Sequence, residues 1–289
     1  MIEPALRDEA LLQDISSAPN DRQVAHLWWL GQSGFLLKWQ GHYLLVDPYL
    51  SDALTKKYAG TQMEHVRMTA RCVSPEKLGF VTLALSTHAH TDHLDAETLT
   101  ALAAATMEQG HRLRLILSPA NIPVALQKLG PAPIDLLPLD AGASLEIDGF
   151  SIHAIPSAHT ELKQNAEGQH YFLGFIVHLG SFGIYHSGDT VLYPGLTGEL
   201  LNQKPRVLLL PINGNRPERG VAGNLNGFEA AELATTVGAA LAIPHHFDMF
   251  TFNTETPDEF VSACQRLGQP YRVLKCGERL TLSVEPASA

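Results

Sequence analysis

Short apolar runs bounded by polar residues, glycine and proline recur along the chain and predict a protein rich in strands. In the first half the predicted strands lie at 26–31, 35–39, 42–47, 81–86 and 114–118. In the second half they lie at 144–147, 151–155, 171–178, 182–186, 206–211 and 239–244. Gln40-Gly41 separates two neighbouring runs and has the form of a hairpin turn, with glycine supplying the tight bend.

Helices are predicted where capping residues precede apolar positions at helical spacing. Asp95 starts one after the strand at 81–86, and Ser118-Pro119 starts another. Asn226-Gly-Phe-Glu229 has the form of a capping box and starts a third. Paired strands followed by strand–helix alternation predict an α/β protein with two sheets packed face to face and helices outside. Residues 1–22 are predicted to be an N-terminal helix and linker, and residues 23–289 a single domain.

Composition narrows the class of protein. Of 289 residues, 45% are hydrophobic and 17% charged, which indicates a large buried core. The net charge of −10 argues against a nucleic-acid partner. Three cysteines without CxxC spacing indicate neither a disulfide framework nor a thiolate zinc site. The N-terminal residues lack the pattern of a signal peptide and all apolar runs are strand-sized, so we expect a cytoplasmic protein without a membrane partner. The oligomeric state stays open, a homo-oligomer included.

Three histidines and an aspartate lie within six residues, His88-Ala-His90-Thr-Asp92-His93. This segment falls between the predicted strand at 81–86 and the helix start at Asp95. Imidazole and carboxylate ligands suit Zn or another divalent transition metal better than Ca or Mg. The two pairs, separated by one residue, predict ligands for two adjacent metals. The alternative, an ordinary polar loop, fits poorly between a strand and a capped helix.

Three later residues, His159, Asp189 and His246, each follow the end of a predicted strand. Sites in layered α/β proteins gather where strands end, so these side chains are expected to converge on the first motif. Taken singly, each has an ordinary alternative role, as a loop residue, a helix cap or a half-buried histidine. Their common placement favours the metal site.

The order His-x-His-x-Asp-His, His, Gly-Asp, Pro-x-His resembles the metallo-β-lactamase superfamily over about residues 27–282. Within it, the motifs starting at Trp28, Val46, Tyr185 and Ile243 are similar to those of L-ascorbate-6-phosphate lactonase-like hydrolases, although Ala89 stands where that lactonase has an acidic residue. The resemblance implies a four-layer αββα sandwich. It also implies two divalent metal ions, Zn or Mn, with these ligands: His88, His90 and His159 for the first, Asp92, His93 and His246 for the second, and Asp189 as a bridge.

Three further residues are candidates for contact with the ligands. Asp47 follows a strand and is expected to orient a ligand histidine, or else to cap a turn. His186 either orients the site or is hydrogen-bonded to backbone. His246 is preferred to His245 because the resemblance puts the ligand second after the proline. His245 is then expected to contact the site or to lie at the surface.

The predicted reaction is hydrolysis, in which a metal-bridging hydroxide attacks a phosphorylated sugar lactone or a similar small ester. Asp92 is expected to move the proton to the leaving group. Arg216 and Arg219 lie in a glycine-containing loop and are candidates for gripping a phosphate, the alternative being an ordinary solvated loop. Two other functions stay open on the same ligands: a phosphodiesterase-type hydrolase and a mononuclear iron dioxygenase. A non-catalytic binding protein is disfavoured, because all seven positions carry metal-competent side chains.

Overall fold

The computed structural model describes residues 1–284 and contains two mixed β-sheets. The first sheet has seven strands: β1 (Val24–Gly31), β2 (Gly34–Trp39), β3 (His42–Val46), β4 (Leu83–Ser86), β5 (Leu113–Leu117), β6 (Ile134–Pro138) and β13 (Arg279–Ser283). The second has six: β7 (Ser144–Ile147), β8 (Phe150–Pro156), β9 (Leu173–Leu179), β10 (Phe182–His186), β11 (Val207–Pro211) and β12 (Leu241–His245). Their spatial orders are β13-β1-β2-β3-β4-β5-β6 and β12-β11-β10-β9-β8-β7.

Seven α-helices complete the described part of the chain. They are α1 (Asp8–Ser17), α2 (Ala53–Tyr58), α3 (Ala96–Glu108), α4 (Ile122–Leu129), α5 (Leu196–Gln203), α6 (Gly227–Thr236) and α7 (Asp258–Leu267). Helices α1, α3 and α4 share a buried cluster with the outer face of the first sheet. Helices α5, α6 and α7 pack against the second sheet. Within residues 1–284, none of the helices has the length and apolar character needed to cross a membrane.

The central strands are buried on both faces, and alternate residues serve different layers. On β1, Trp29 points between the two sheets, whereas Trp28 points toward the outer helices. On β2, Leu37 and Leu36 divide in the same way. This division follows from the two-residue period of a strand. The four-layer αββα architecture is therefore confirmed, with one core between the sheets and another under the helices of the first sheet.

The local signals for turns and caps are confirmed. Gln40 and Gly41 both have positive φ, 50° and 81°, and join β2 to β3 as a two-residue hairpin loop. The Asp95 side chain accepts a hydrogen bond from the backbone N–H of Glu97 at the start of α3. Asn226 begins α6 with the full reciprocal capping box.

Five elements have no counterpart among the predicted ones: α2, β6, α5, α7 and β13. The strand β13 is short and pairs antiparallel with β1, and the alternation of Leu280, Leu282 and Val284 with polar residues was its local signal. Helix α7 also carried a signal, because Phe260, Ala263 and Cys264 have helical spacing and are buried. Pairing with distant chain segments, rather than local sequence, fixes the edge of the first sheet.

Helix α1 is fastened to the first sheet by a buried lysine. Lys38, on β2, donates from Nζ to the carbonyl oxygens of Ile15 at 3.0 Å and Ala18 at 2.6 Å, at the C-terminal end of α1. These carbonyl groups lack partners within the helix, and the helix dipole favours a cation there. The indole Nε1 of Trp28 donates to Asp14 at 2.8 Å in the same interface.

Replacing Lys38 with methionine tests this interface. Lys38→Met leaves buried carbonyl oxygens without donors, so we expect the free energy of unfolding to fall by about 1–3 kcal/mol. Urea denaturation followed by far-UV circular dichroism measures the change. Lys77→Met is the control, because the Lys77 side chain is 61% exposed. Equal stability of the two variants would contradict the role given to Lys38.

Candidate metal centre

Chain segments from both sheets meet at one edge of the sandwich. The His88–His93 segment follows β4 in the first sheet. The other three candidate ligands, His159, Asp189 and His246, follow β8, β10 and β12 in the second sheet. The two sheets therefore bring together side chains that are far apart in the sequence, as expected from their places at strand ends.

Hydrogen bonds shape the His88–His93 segment into a compact turn. The hydroxyl of Ser86, the last residue of β4, lies 3.1 Å from each of the carbonyl oxygens of His88 and His93. The backbone N–H groups of His93 and Leu94 donate to the carbonyl of His90 at 3.1 and 2.8 Å. The turn then enters α3 at its Asp95 cap. Its backbone groups are satisfied locally, which leaves the side chains free to face the site.

The candidate ligands form three overlapping groups in which the donor atoms lie within 4.8 Å of one another. The groups are His88, His90 and His159; Asp92, His93 and His246; and His88, His93 and Asp189. The first two match the two ligand sets expected from the sequence. The third joins one member of each set to Asp189.

Asp189 lies between the two sets. Its Oδ2 is 3.6 Å from Nε2 of His159 and 3.6 Å from Nε2 of His246. Its Oδ1 is 3.4 Å from Nε2 of His93. A carboxylate between one histidine of the first set and two of the second is placed to bridge two cations.

The donor atoms include polar groups that the protein itself does not satisfy. Nε2 of His93 and Oδ1 of Asp189 are both buried and make no hydrogen bond with any of residues 1–284. Leaving buried polar atoms unpaired costs about 1–3 kcal/mol each. Because these atoms converge on the same point as the other donors, the residues fit a divalent cation.

One buried carboxylate orients ligands of both sets. Oδ2 of Asp47 accepts from Nδ1 of His93 at 2.6 Å and from the hydroxyl of Thr87 at 2.6 Å. The Thr87 oxygen in turn lies 3.1 Å from Nδ1 of His88. Both histidines therefore direct their Nε2 atoms into the site, which is how such partners orient metal ligands.

His159 is oriented by a different partner. Its Nδ1 donates to the backbone carbonyl of Gly223 at 2.9 Å, which leaves Nε2 as the free lone pair toward Asp189. Gly223 belongs to the loop before α6. That loop thus contributes to the site through its backbone.

The histidines differ in their tendency to carry a proton. Burial, together with the charges of neighbouring histidines, lowers the pKa of His88 well below its usual value and that of His90 to about 4. Burial also acts to lower the pKa of His93, but Asp189 and Asp47 outweigh it and hold that pKa well above the usual value. His88 and His90 are neutral at pH 7 and ready to ligate, whereas a cation at His93 would displace a proton.

Several residues around the site have left-handed backbone. Gln32, Asp47 and His246 have φ of 49°, 44° and 63°. Gly188, before Asp189, has φ of 61°, and a Cβ there would lie 2.8 Å from both the Leu173 carbonyl oxygen and the Thr87 side chain. Such conformations cost free energy and concentrate at functional sites, where the surrounding fold enforces them.

Arg216 and Arg219 are not brought to the metal ligands. The Arg219 guanidinium donates to the carbonyl oxygens of Asn213 at 2.6 Å and Thr254 at 3.1 Å, and pairs with Glu255. Arg216 pairs with the same carboxylate at 2.7 Å. Neither lines the pocket. These contacts fasten the arginine loop to the segment at 253–255, and phosphate binding by Arg216 and Arg219 stays a prediction.

His186 and His245 are buried between the sheets and stack on each other, with ring centroids 4.9 Å apart. His186 is bonded to backbone on both nitrogens: Nε2 donates to the Ser33 carbonyl at 2.8 Å, and Nδ1 accepts from the Gly188 N–H at 3.0 Å. It thus supports the turn before Asp189. Nδ1 of His245 lies 3.1 Å from the Ser33 hydroxyl, so His245 is a core residue and not a surface one.

Gln32, in the motif that starts at Trp28, lies in the site although the sequence-based prediction gives it no role. It lies in the turn between β1 and β2, and its Nε2 lies 2.9 Å from Oδ2 of Asp92 and 3.0 Å from Nε2 of His246. The chain reaches this position through Gly31, whose φ is 95°. The sequence signal for this residue was the Gly31-Gln32 pair at the turn between two predicted strands.

A cavity of about 420 Å³ opens above the ligands, within the range for small-molecule sites. Its floor includes His90, Asp92, His159, Asp189 and His246. Its walls combine aromatic, aliphatic and cationic side chains, the main ones being Leu54, Lys57, Tyr58, His65, Lys128, Val221, Phe250 and Phe252. The candidate ligands thus form the base of a pocket of small-molecule size.

Comparisons with known proteins agree with this geometry. The family model described as the beta-lactamase superfamily domain matches residues 42–247. A metal-dependent hydrolase of the UPF0173 group from Rubrobacter xylanophilus is 28% identical over 266 residues, which cover 87% of this chain and 94% of the relative.

Two solved structures show that this fold carries different chemistries. Isothiocyanate hydrolase from Delia radicum gut bacteria aligns with a TM-score of 0.71 at 18% identity, over 90% of this chain and 100% of the other. CmlA, a diiron β-hydroxylase from Streptomyces venezuelae, aligns with a TM-score of 0.65 at 15% identity, over 92% of this chain and 55% of the other. At such identities the likeness concerns the fold alone.

The hydrogen bonds that link Asp47 to His93 directly, and to His88 through Thr87, can be tested with two variants. Asp47→Asn places an amide next to Nδ1 of His93 and removes the acceptor for Thr87, so we expect metal affinity to fall about 10–100-fold at both ligand sets. Thr87→Val removes the hydroxyl next to His88 but keeps the bond between Asp47 and His93, so its effect should be larger at the first set than at the second. Competition titration of Zn²⁺ against a chromophoric chelator measures both.

Asp148→Asn is the matched control, because Asp148 also has left-handed backbone, φ 51°, but pairs with Arg114 away from the site. Unchanged zinc affinity in Asp47→Asn, with the fold intact by circular dichroism, would show that Asp47 does not orient the ligands.

Proposed function

The chain belongs to the metallo-β-lactamase superfamily, and from the geometry of its site we propose that it is a binuclear metal-dependent hydrolase acting on a sugar lactone or a similar small ester. The observation that carries the proposal is the position of Asp189 between two three-residue donor sets at the base of a pocket. The name of the Rubrobacter relative, a metal-dependent hydrolase, is consistent with it.

His88, His90 and His159 would hold the first cation and Asp92, His93 and His246 the second, with Asp189 between them. Imidazole-rich sets with carboxylates suit Zn, and Mn is accepted by the same oxygen and nitrogen donors. Two cations held by these residues would supply Lewis acidity and a water of lowered pKa, the chemistry needed for hydrolysis at pH 7.

Asp92 is placed to handle the proton of the reaction. Its Oδ2 faces the pocket, 3.6 Å from Nε2 of His246 and 2.9 Å from Nε2 of Gln32. In the proposed reaction this oxygen takes the proton from the attacking water and returns it to the leaving alkoxide. Gln32 donates to the same oxygen and so fixes the direction of the carboxylate.

The choice of lactones and small esters has two supports. The sequence motifs around Trp28, Val46, Tyr185 and Ile243 resemble those of lactonase-like hydrolases. The cavity of about 420 Å³ has the size for a single sugar ring or a comparable acid rather than a polymer.

The first test combines metal counting with a hydrolysis assay. Protein stripped with chelator and reloaded with Zn²⁺ or Mn²⁺ should bind two equivalents, measured by mass spectrometry of the metals. It should then release acid from sugar lactones in a pH-stat, and the stripped protein should not. Two bound metals without hydrolysis of any lactone or ester would remove the substrate proposal. One iron per chain with oxygen-dependent turnover would replace hydrolysis with dioxygenase chemistry.

Substitution of the two carboxylates is a separate prediction. Asp92→Ala and Asp189→Ala should each lower kcat by at least about 10²-fold, because each removes a ligand and the first also removes the proton carrier. Circular dichroism should show an intact fold. Asp135→Ala, at an exposed carboxylate paired with Arg112, is the control and should keep full activity. Wild-type rates in both site variants would show the assignment to be wrong.

A further inference from the structure

Two lysines line the same pocket as the metal ligands. Lys57 lies in the last turn of α2, and Lys128 lies near the end of α4. Neither forms a salt bridge with any of residues 1–284, whereas the adjacent Lys56 pairs with Glu97 at 2.7 Å. The pocket therefore carries two ammonium groups that form no ion pair with a carboxylate of residues 1–284, and Lys57 lies over the Tyr58 ring, 5.0 Å from its centroid.

Lys128 is held in place by the metal-binding turn. Its Nζ donates to the carbonyl of Ala89 at 2.7 Å and lies 3.5 Å from that of Leu94. An ammonium group has three donors, so at least one remains for a ligand. Burial, followed by the positive charge of Lys57, lowers the pKa of Lys128, while Asp92 opposes this shift. Both lysines line the same cavity, so an anion bound in it would be attracted by both positive charges.

An aromatic wall stands beside these lysines. The rings of Tyr58 and His65 are stacked, with centroids 4.8 Å apart and an interplanar angle of 26°. Phe250 and Phe252 each lie 5.1 Å from the His65 ring. All four line the pocket. Nδ1 of His65 donates to the Met63 carbonyl at 2.7 Å, and burial lowers its pKa, so the ring is neutral at pH 7.

The wall is fixed before any substrate binds. The backbone N–H of Met68 donates to Met249 at 2.7 Å, and that of Thr251 donates to Val66 at 2.9 Å, which pairs the two wall segments as antiparallel chains. Arg67 bonds through Nε to Asp52 at 2.7 Å and joins α2 to the same structure. A preformed wall binds a planar group without an ordering cost.

We propose that Lys57 and Lys128 form an anion subsite beside the metal centre, and that the substrate carries a carboxylate or phosphate on a planar apolar body that packs against Tyr58 and the wall. The inference rests on the proposed function for the nature of the reacting bond only. It assigns anion recognition to two lysines from different helices, in place of the arginine loop suggested by the sequence.

The test uses benzylphosphonate, which has the charge and the ring but no ester to hydrolyse. Binding to the zinc-loaded protein is measured by calorimetry. Lys57→Gln should weaken it about tenfold, the usual value of a hydrogen bond or contact to a charged group, and Lys57→Glu more. Lys56→Gln is the matched control and should leave binding unchanged. Equal affinity for wild type, Lys57→Gln and Lys57→Glu would overturn the subsite.

Methylphosphonate separates the parts of the site. Tyr58→Leu should weaken benzylphosphonate and leave methylphosphonate unaffected, because only the former has a ring; equal losses, or none for either, would overturn the role of the wall. A phosphonate that binds only to the metals would have the same affinity for wild type and the Lys57 variants, and that result would count against the subsite.

Lys128→Arg keeps the charge and the loop contacts, and it should retain zinc content and binding, whereas Lys128→Met should lose binding. Because the probe is not a substrate, failure of lactone hydrolysis leaves this result standing and refutes only the proposed reaction.

Discussion

The buried carboxylate of Asp47 is the interaction on which the site depends most. It accepts hydrogen bonds from the backbone and side chain of Thr87 and from His93, and so fastens the end of β3 to the end of β4. Through Thr87 it also reaches His88. A single ionisable group, fully shielded from solvent, thus sets the direction of one ligand in each donor set. Other ligands can converge only because this pair of strand ends is fixed.

The part of this architecture that is local in sequence could be predicted. The His88–His93 motif, the Gln40-Gly41 hairpin and the Asn226 cap are each encoded within a few neighbouring residues. The αββα layers follow from the alternation of strands and helices, which is also local. His159, Asp189 and His246 could be proposed because they end strands, although their meeting with the first motif depends on the packing of one sheet against the other.

The parts that could not be predicted depend on contacts between distant segments. Arg219 is attractive for phosphate binding in isolation, but a carboxylate at Glu255 and nearby carbonyls take up its donors. Lys57 and Lys128 are ordinary helix-end lysines in sequence, and only tertiary packing brings them to one cavity. The resemblance prefers His246 to His245 as the ligand, but the burial of His245 in the core, stacked on His186, depends on tertiary packing. In each case tertiary packing determines where the side chain lies, and the local sequence pattern does not reveal it.

The wall of the pocket has a consequence for how proteins of this kind diverge. Its aromatic side chains come from segments 58–65 and 250–252, which contribute none of the seven candidate ligands and are held together by their own backbone pairing and by Arg67. The candidate ligands and the aromatic wall are consequently encoded in separate stretches of the gene. Mutations in the wall can be sampled without disturbing the chemistry below, so a lineage could acquire a new substrate while inheriting its metal centre intact.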